Sequence, residues 1–183
     1  MKRMVISLTM LDTRVLYGIF GWHGKRLLDL LMIGLTRSAD GYYYCLVALV
    51  LFLFSMEIAP NFLVAALIAY GIEVTVHGIL KNKVKRNRPC ATLPGIERLL
   101  VPPDEFSFPS GHTAAAFVMA SLLSSFVPSL FFAVFAWSWL VGVSRIYLGL
   151  HYPTDVLAGA FLGVMSAKLG VAGEAIVFAQ IAG

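Results

Sequence analysis

The stretch NFLVAALIAYGIEVTVHGIL, Asn61 to Leu80, decides the fold. At ~1.5 Å per residue it rises about 30 Å, the thickness of a bilayer's hydrocarbon core, so it reads as a membrane-crossing helix. Such a helix satisfies its own backbone hydrogen bonds where no water can. Glu73 and His77 stand at i and i+4, and Lys81 follows at i+8. One face of this apolar helix is therefore polar and leads out to its end.

Outward from it, Pro60 breaks the chain on one side, and Tyr42 to Met56 reads as another span, opened by the aromatic belt Tyr42-Tyr43-Tyr44. Met4 to Phe20 contains Asp12 and Arg14. Leu27 to Leu35 contains Asp29, with Lys25, Arg26, Arg37 and Asp40 around it. Both read as helices lying at the interface, the first alternatively as a poor span. The same Asp12 and Arg14 interrupt any apolar core of a cleavable signal peptide. On the other side, Lys81 to Phe108 is rich in Pro and basic residues, a polar segment outside the hydrocarbon. Thr113 to Val127, Ser129 to Leu148 and Val156 to about Phe178 read as three further spans.

Composition agrees. The chain has 183 residues, 59% hydrophobic and 13% charged, with a mean hydropathy of +0.83. A soluble domain carries roughly 25% charged residues. The expected fold is all-α: an integral membrane helical bundle of five or six transmembrane helices plus N-terminal interfacial helices. One domain is expected over 1–183, with 1–40 the amphipathic part and 41–183 the transmembrane core holding the active site. Cys45 and Cys90 have no spacing that points to zinc or a disulfide framework.

Charges in or beside a bilayer are costly and tend to persist where they act. Alternating spans put the ends at Lys81, at Pro109 to His112, at Arg145 and at His151 to Asp155 on one side of the membrane. Lys81, Arg88 and Arg145 suit phosphate oxygens, Arg as a planar fork and Lys as a point charge. Taken singly, each reads as a snorkelling cation or topological anchor. Lys83, Lys85, Arg86 and Arg98 read as surface charges of that kind. Ser110-Gly111-His112 opens a helix whose free N–H groups and positive dipole end suit an anion, and Gly111 allows a close backbone approach; a plain N-terminal cap with an incidental His is the bland alternative. His151 and Asp155 lie one turn apart, so the carboxylate can take one ring N–H and leave the other nitrogen's lone pair for phosphorus. The bland alternative there is a capping Asp beside a structural His. His112 is the candidate general acid. Two His and one Asp also suit a metal, but two arginines and a lysine around them repel a divalent cation; neither metal nor cofactor is expected. Glu73 and His77 read as a satisfied interior pair.

Together the three strings resemble the type 2 phosphatidic acid phosphatase superfamily, the lipid phosphate phosphatases. K-x6-R-P matches Lys81, Arg88 and Pro89; P-S-G-H matches Pro109 to His112; S-R-x5-H-x3-D matches Ser144, Arg145, His151 and Asp155. The resemblance implies a six-helix core and metal-independent phosphatase activity through a phosphohistidine. It assigns His151 as nucleophile, Asp155 as its orienter, His112 as acid, and Lys81, Arg88, Ser110, Gly111 and Arg145 as phosphate ligands. The expected substrate is a phospholipid or isoprenoid (pyro)phosphate: undecaprenyl pyrophosphate, phosphatidylglycerophosphate, phosphatidic acid or a lipid A phosphate. The expected setting is the bacterial inner membrane, with no nucleic acid partner. The lysines and arginines of the five-span map favour a cytoplasmic site, whereas bacterial members of the family face the periplasm, and the periplasmic face is the expectation. Rival readings are a phosphotransferase with the same residues and a non-enzymatic lipid-phosphate binder or transporter.

Overall fold

A computed structural model describes residues 2–102 and 104–182, and in 2–8 and 182 the backbone only. Among the described residues, eight α-helices follow in order: α1 Lys2–Phe20, α2 Arg26–Arg37, α3 Gly41–Phe54, α4 Ala59–Val84, the short α5 Pro89–Thr92, α6 Gly111–Phe126, α7 Phe131–Tyr147 after a 3-10 turn at Pro128–Leu130, and α8 Pro153–Ala182. No strand occurs among the described residues.

Among the described residues, three helices are long and apolar enough to cross a membrane: Ala59–Val84, Pro128–Tyr147 and Pro153–Ile181. Helices α2 and α3 pass the same test only together, as a pair bent by 61°. The span expected over Tyr42 to Met56 is thus a helix of 14 residues, because the chain leaves helical geometry at Ser55, ahead of Pro60. Helix α6 is likewise short, at 16 residues. At ~1.5 Å per residue these two rise about 21 and 24 Å, less than the hydrocarbon core. This is a multi-pass membrane protein by length and composition, with three such helices or four if the bent pair is one span.

Helix α8 is the centre of the bundle, against α6 on one side and α4 on the other. Small residues let the backbones meet. A Cβ at Gly159 would stand 2.5 Å from the Ser110 carbonyl oxygen, and one at Gly170 2.5 Å from that of Ala65. In a bilayer, where lipid tails are as apolar as leucine, close backbone approach of this kind holds helices together. Phe62, Ala65, Ala69, Val118, Leu122 and Val141 fill the interior between them. Helices α1 and α2 pack on α7, and Leu16 of α1 is fully buried beside Ile146, Tyr152 and Val156. The N-terminal part therefore covers the end of the bundle where the polar motifs lie.

Candidate active site

Each motif sits at a helix end. Helix α4 closes at Lys85, which adopts a left-handed conformation (φ 49°) and turns the chain back under the bundle. Arg86 and Arg88 thereby turn inward, with Asn87 exposed between them, and Pro89 opens α5. An isolated bridge pairs Asn87 with Phe106, folding the loop 104–108 against this segment. Ser110 precedes α6, Arg145 lies in the last turn of α7, and Asp155 in the first turn of α8.

His151 occupies the centre and is 2% exposed. Its Nδ1 lies 2.7 Å from the carbonyl of Ser107, and its Nε2 lies 3.1 Å from Arg88 Nη1. A guanidinium can only donate and a carbonyl only accept, so the ring is the tautomer protonated at Nδ1, with its lone pair on Nε2. Burial, helped by Arg145 and Arg88 and opposed by Asp155, pushes the imidazole pKa down to about 3. Asp155 stands 3.8 Å from the same Nδ1. The sequence expectation that this carboxylate takes the ring N–H is thus amended. Ser107 takes it, while Asp155 receives the Tyr152 N–H at 2.8 Å and Arg86 Nη1 at 2.8 Å.

Two of the three candidate cations, Lys81 and Arg88, meet at one carboxylate that the sequence reading did not single out. Asp104 lies 2.6 Å from Lys81 Nζ and 2.6 Å from Arg88 Nη2. Partial burial pushes its carboxyl up, but the bonds from Lys81 and Arg88 outweigh this and hold it below the usual range. Arg88 also donates to the Leu150 carbonyl at 2.9 Å. Arg145, 3% exposed, donates from Nη1 to Thr36 Oγ1 at 2.7 Å, and its buried Nε has no hydrogen-bond partner among the described residues. A cavity of about 260 Å³ brings Arg145 and His112 together with Thr36, Arg37 and Asp40. His112 Nε2 lies 3.2 Å from Asp40 Oδ1.

Ser110 is fully buried, with its hydroxyl 2.8 Å from that of Thr113 and its N–H donating to the Asp155 carbonyl at 3.0 Å. Gly111 is needed for a close approach, but the neighbour is His77: a Cβ there would meet its Nε2 at 3.0 Å. His77 Nε2 has no hydrogen-bond partner among the described residues, so the expectation of a satisfied Glu73–His77 pair is corrected.

Arg86, expected at the surface, is drawn inward by two carboxylates, Asp12 Oδ2 at 2.7 Å and Asp155 Oδ1 at 2.8 Å, and lies 3.8 Å over the Tyr152 ring. Asp12, Thr36, Asp40, Asp104 and Ser107 are site residues without a motif. Asp12 alone carried a signal, a carboxylate inside a mostly apolar helical stretch, where isolation is expensive.

The sequence pattern described as the PAP2 superfamily matches residues 62–174, which include every motif residue named above. The chain belongs to the PAP2 superfamily. Among its relatives, this PAP2 chain is 39% identical over 107 residues to the bacitracin transport permease protein BcrC of Bacillus licheniformis, covering 56% of this chain and 50% of that one. It is 34% identical over 110 residues to phosphatidylglycerophosphatase B of Bacillus subtilis (strain 168), covering 54% and 51%. The chain thus spans about half the length of these curated relatives. The crystal structure of Aquifex aeolicus LpxE matches with a TM-score of 0.76 at 28% identity, covering 88% of this chain and 94% of that one.

Proposed function

We propose that this PAP2 protein is a metal-independent membrane phosphatase that removes phosphate from a phospholipid or isoprenoid (pyro)phosphate through a phosphohistidine. One observation carries this reading: a neutral, buried imidazole presents its Nε2 lone pair beside two cations that already hold an anion, the Asp104 carboxylate. The substrate phosphate displaces Asp104 from Lys81 and Arg88 and gains Arg145, the Ser110 hydroxyl and the Gly111 N–H at the start of α6. Arg88 then leaves His151 Nε2 for a phosphate oxygen, which frees the nucleophile. Nε2 attacks phosphorus, and the P–O bond to the lipid breaks as the P–N bond forms. His112, held by Asp40, protonates the departing oxygen, a lipid alkoxide from a monoester or a lipid phosphate from a pyrophosphate. Asp155 steadies the positive ring. Water, deprotonated by His112, then cleaves the P–N bond and restores His151. A divalent metal is disfavoured here by the guanidinium groups of Arg88 and Arg145.

In the membrane, α1 and α2 lie at the interface and α3, α4, α6, α7 and α8 cross, giving five spans with the site on the periplasmic face of a bacterial inner membrane. A fluorescent protein fused after residue 183 then fluoresces in the cytoplasm; a dark fusion with high activity of an alkaline phosphatase placed there instead puts the site in the cytoplasm.

The decisive assay is phosphate release by the purified chain from phosphatidic acid, phosphatidylglycerophosphate, undecaprenyl pyrophosphate and a lipid A phosphate, in excess EDTA, beside His151→Ala. Release that survives EDTA and disappears in the variant supports the reading. Release abolished by EDTA, or undiminished in His151→Ala, overturns it.

A further inference from the structure

Arg86 holds both of the groups that flank His151 Nδ1. Its guanidinium donates to Asp155 Oδ1 at 2.8 Å, and Asp155 in turn stands 3.8 Å from the ring. Its own carbonyl accepts the Ser107 N–H at 2.7 Å and lies 3.2 Å from the Ser107 hydroxyl, while the Ser107 carbonyl accepts the Nδ1–H of His151 at 2.7 Å. Main chain and side chain of one residue thus fix the acceptor of the ring proton and the carboxylate beside it.

The other hand of Arg86 holds Asp12, which is 74 residues away on α1 and 3% exposed. Asp12 Oδ1 accepts the Thr154 N–H at 2.9 Å, and its Oδ2 accepts Arg86 Nη2 at 2.7 Å and the Thr154 hydroxyl. Arg86 Nη1 also donates to Thr154 Oγ1 at 2.7 Å. Asp12 therefore spends its bonds on Arg86 and the first turn of α8. Burying a carboxylate is costly unless it is paired and fully bonded. Asp12, Arg86 and Asp155 carry two negative charges and one positive, a net charge of −1. Were Arg86 to face Asp155 alone, it would neutralise the carboxylate; shared with Asp12, it leaves one negative charge beside the imidazole. When Nε2 gains phosphorus and Nδ1 keeps its proton, the ring acquires one positive charge, which the triad balances.

We infer that Asp12 and Arg86 are positioning residues for the nucleophile, so that α1 is a working part of the active site. This rests on the reading of His151 as nucleophile. The test uses the full chain in detergent micelles, with kcat and KM for phosphatidic acid and undecaprenyl pyrophosphate and the melting temperature measured together. Arg86→Met is expected to lower kcat about 10- to 100-fold, the usual effect of losing a group that orients a working histidine, with KM within about twofold. Arg86→Lys keeps the charge and recovers part of kcat. Asp12→Asn keeps the shape, so it carries the test if Arg86→Met fails to fold, and is expected to lower kcat about tenfold. Because the two act as one unit, Asp12→Asn combined with Arg86→Met is expected to be no slower than Arg86→Met alone. Unchanged kcat per folded molecule with a lowered melting temperature means a merely structural tether and overturns the inference, as does a double variant whose loss is the product of the two single losses. If wild type works and these variants keep its kcat, this inference alone fails; if wild type releases no phosphate, the reading of His151 fails and takes the inference with it.

Discussion

At the end of the bundle where α4 finishes, Arg88, Arg145, His151 and Asp155 are each at most 3% exposed, and each is tied to partners distant in sequence. In the hydrocarbon half, the buried positions where α4, α6 and α8 cross include Ala65, Ala69, Ala114, Ala116 and Ala167, and glycines of α8 face backbone carbonyls. One region is held by directional bonds among costly groups, the other by close approach of groups that cost nothing to bury. Loss of one partner at the polar end leaves an uncompensated charge and disturbs chemistry; an added methyl in the other half has nowhere to go and disturbs folding. The two regions are thus separable by experiment.

The largest expected effect is at the polar end. His151→Ala is expected to abolish phosphate release, a fall of about 10³-fold or more as for other covalent nucleophiles, while the melting temperature in detergent holds. A variant that fails to fold would blur the contrast. Next, in the other half, Gly170→Val drives a branched side chain onto the Ala65 carbonyl. It is expected to cost ~2–3 kcal/mol, read as a lowered melting temperature or lost folded yield, with kcat per folded molecule unchanged. Asp40→Asn removes the charge beside His112, and about a tenfold fall in kcat with little change in KM is expected. Asp104→Ala frees Lys81 and Arg88 of their internal anion, so KM and the inhibition constant of inorganic phosphate should fall about two- to fivefold, the worth of a part-exposed ion pair. A raised KM would make Asp104 a substrate contact instead.

The last contrast is in pH dependence. His151 is neutral in the fold down to about pH 3, whereas an unfolded His takes a proton below about 6.5. Between those values the unfolded chain binds the extra proton, so stability rises with pH across the window and is progressively lost on acidification. His151→Ala should flatten the slope of melting temperature against pH between 3 and 6.5; an unchanged slope means the ring is protonated in the fold.

The family's motif strings were legible because their spacing is local: seven residues from Lys81 to Arg88, four from His151 to Asp155. The long spans were legible too, since apolar runs of bilayer length need no tertiary context. Residues that act by pairing were not. Arg86 looked like its neighbours Lys83 and Lys85, and only the left-handed turn at Lys85 aims it inward. Asp40 and Thr36 lie 72 and 109 residues from His112 and Arg145, separations that leave no periodic mark.

By itself, then, the sequence determined an all-helical membrane chain with its phosphate-type residues gathered at helix ends, because hydropathy and short spacings are properties of the chain alone. Tertiary structure decided which partner each charge takes: Ser107 rather than Asp155 for the ring proton, Asp104 across Lys81 and Arg88, Asp12 for Arg86. Those choices follow from which groups are brought within about 3 Å after burial has stripped their water, and only the folded packing of α1, α4 and α8 brings them there.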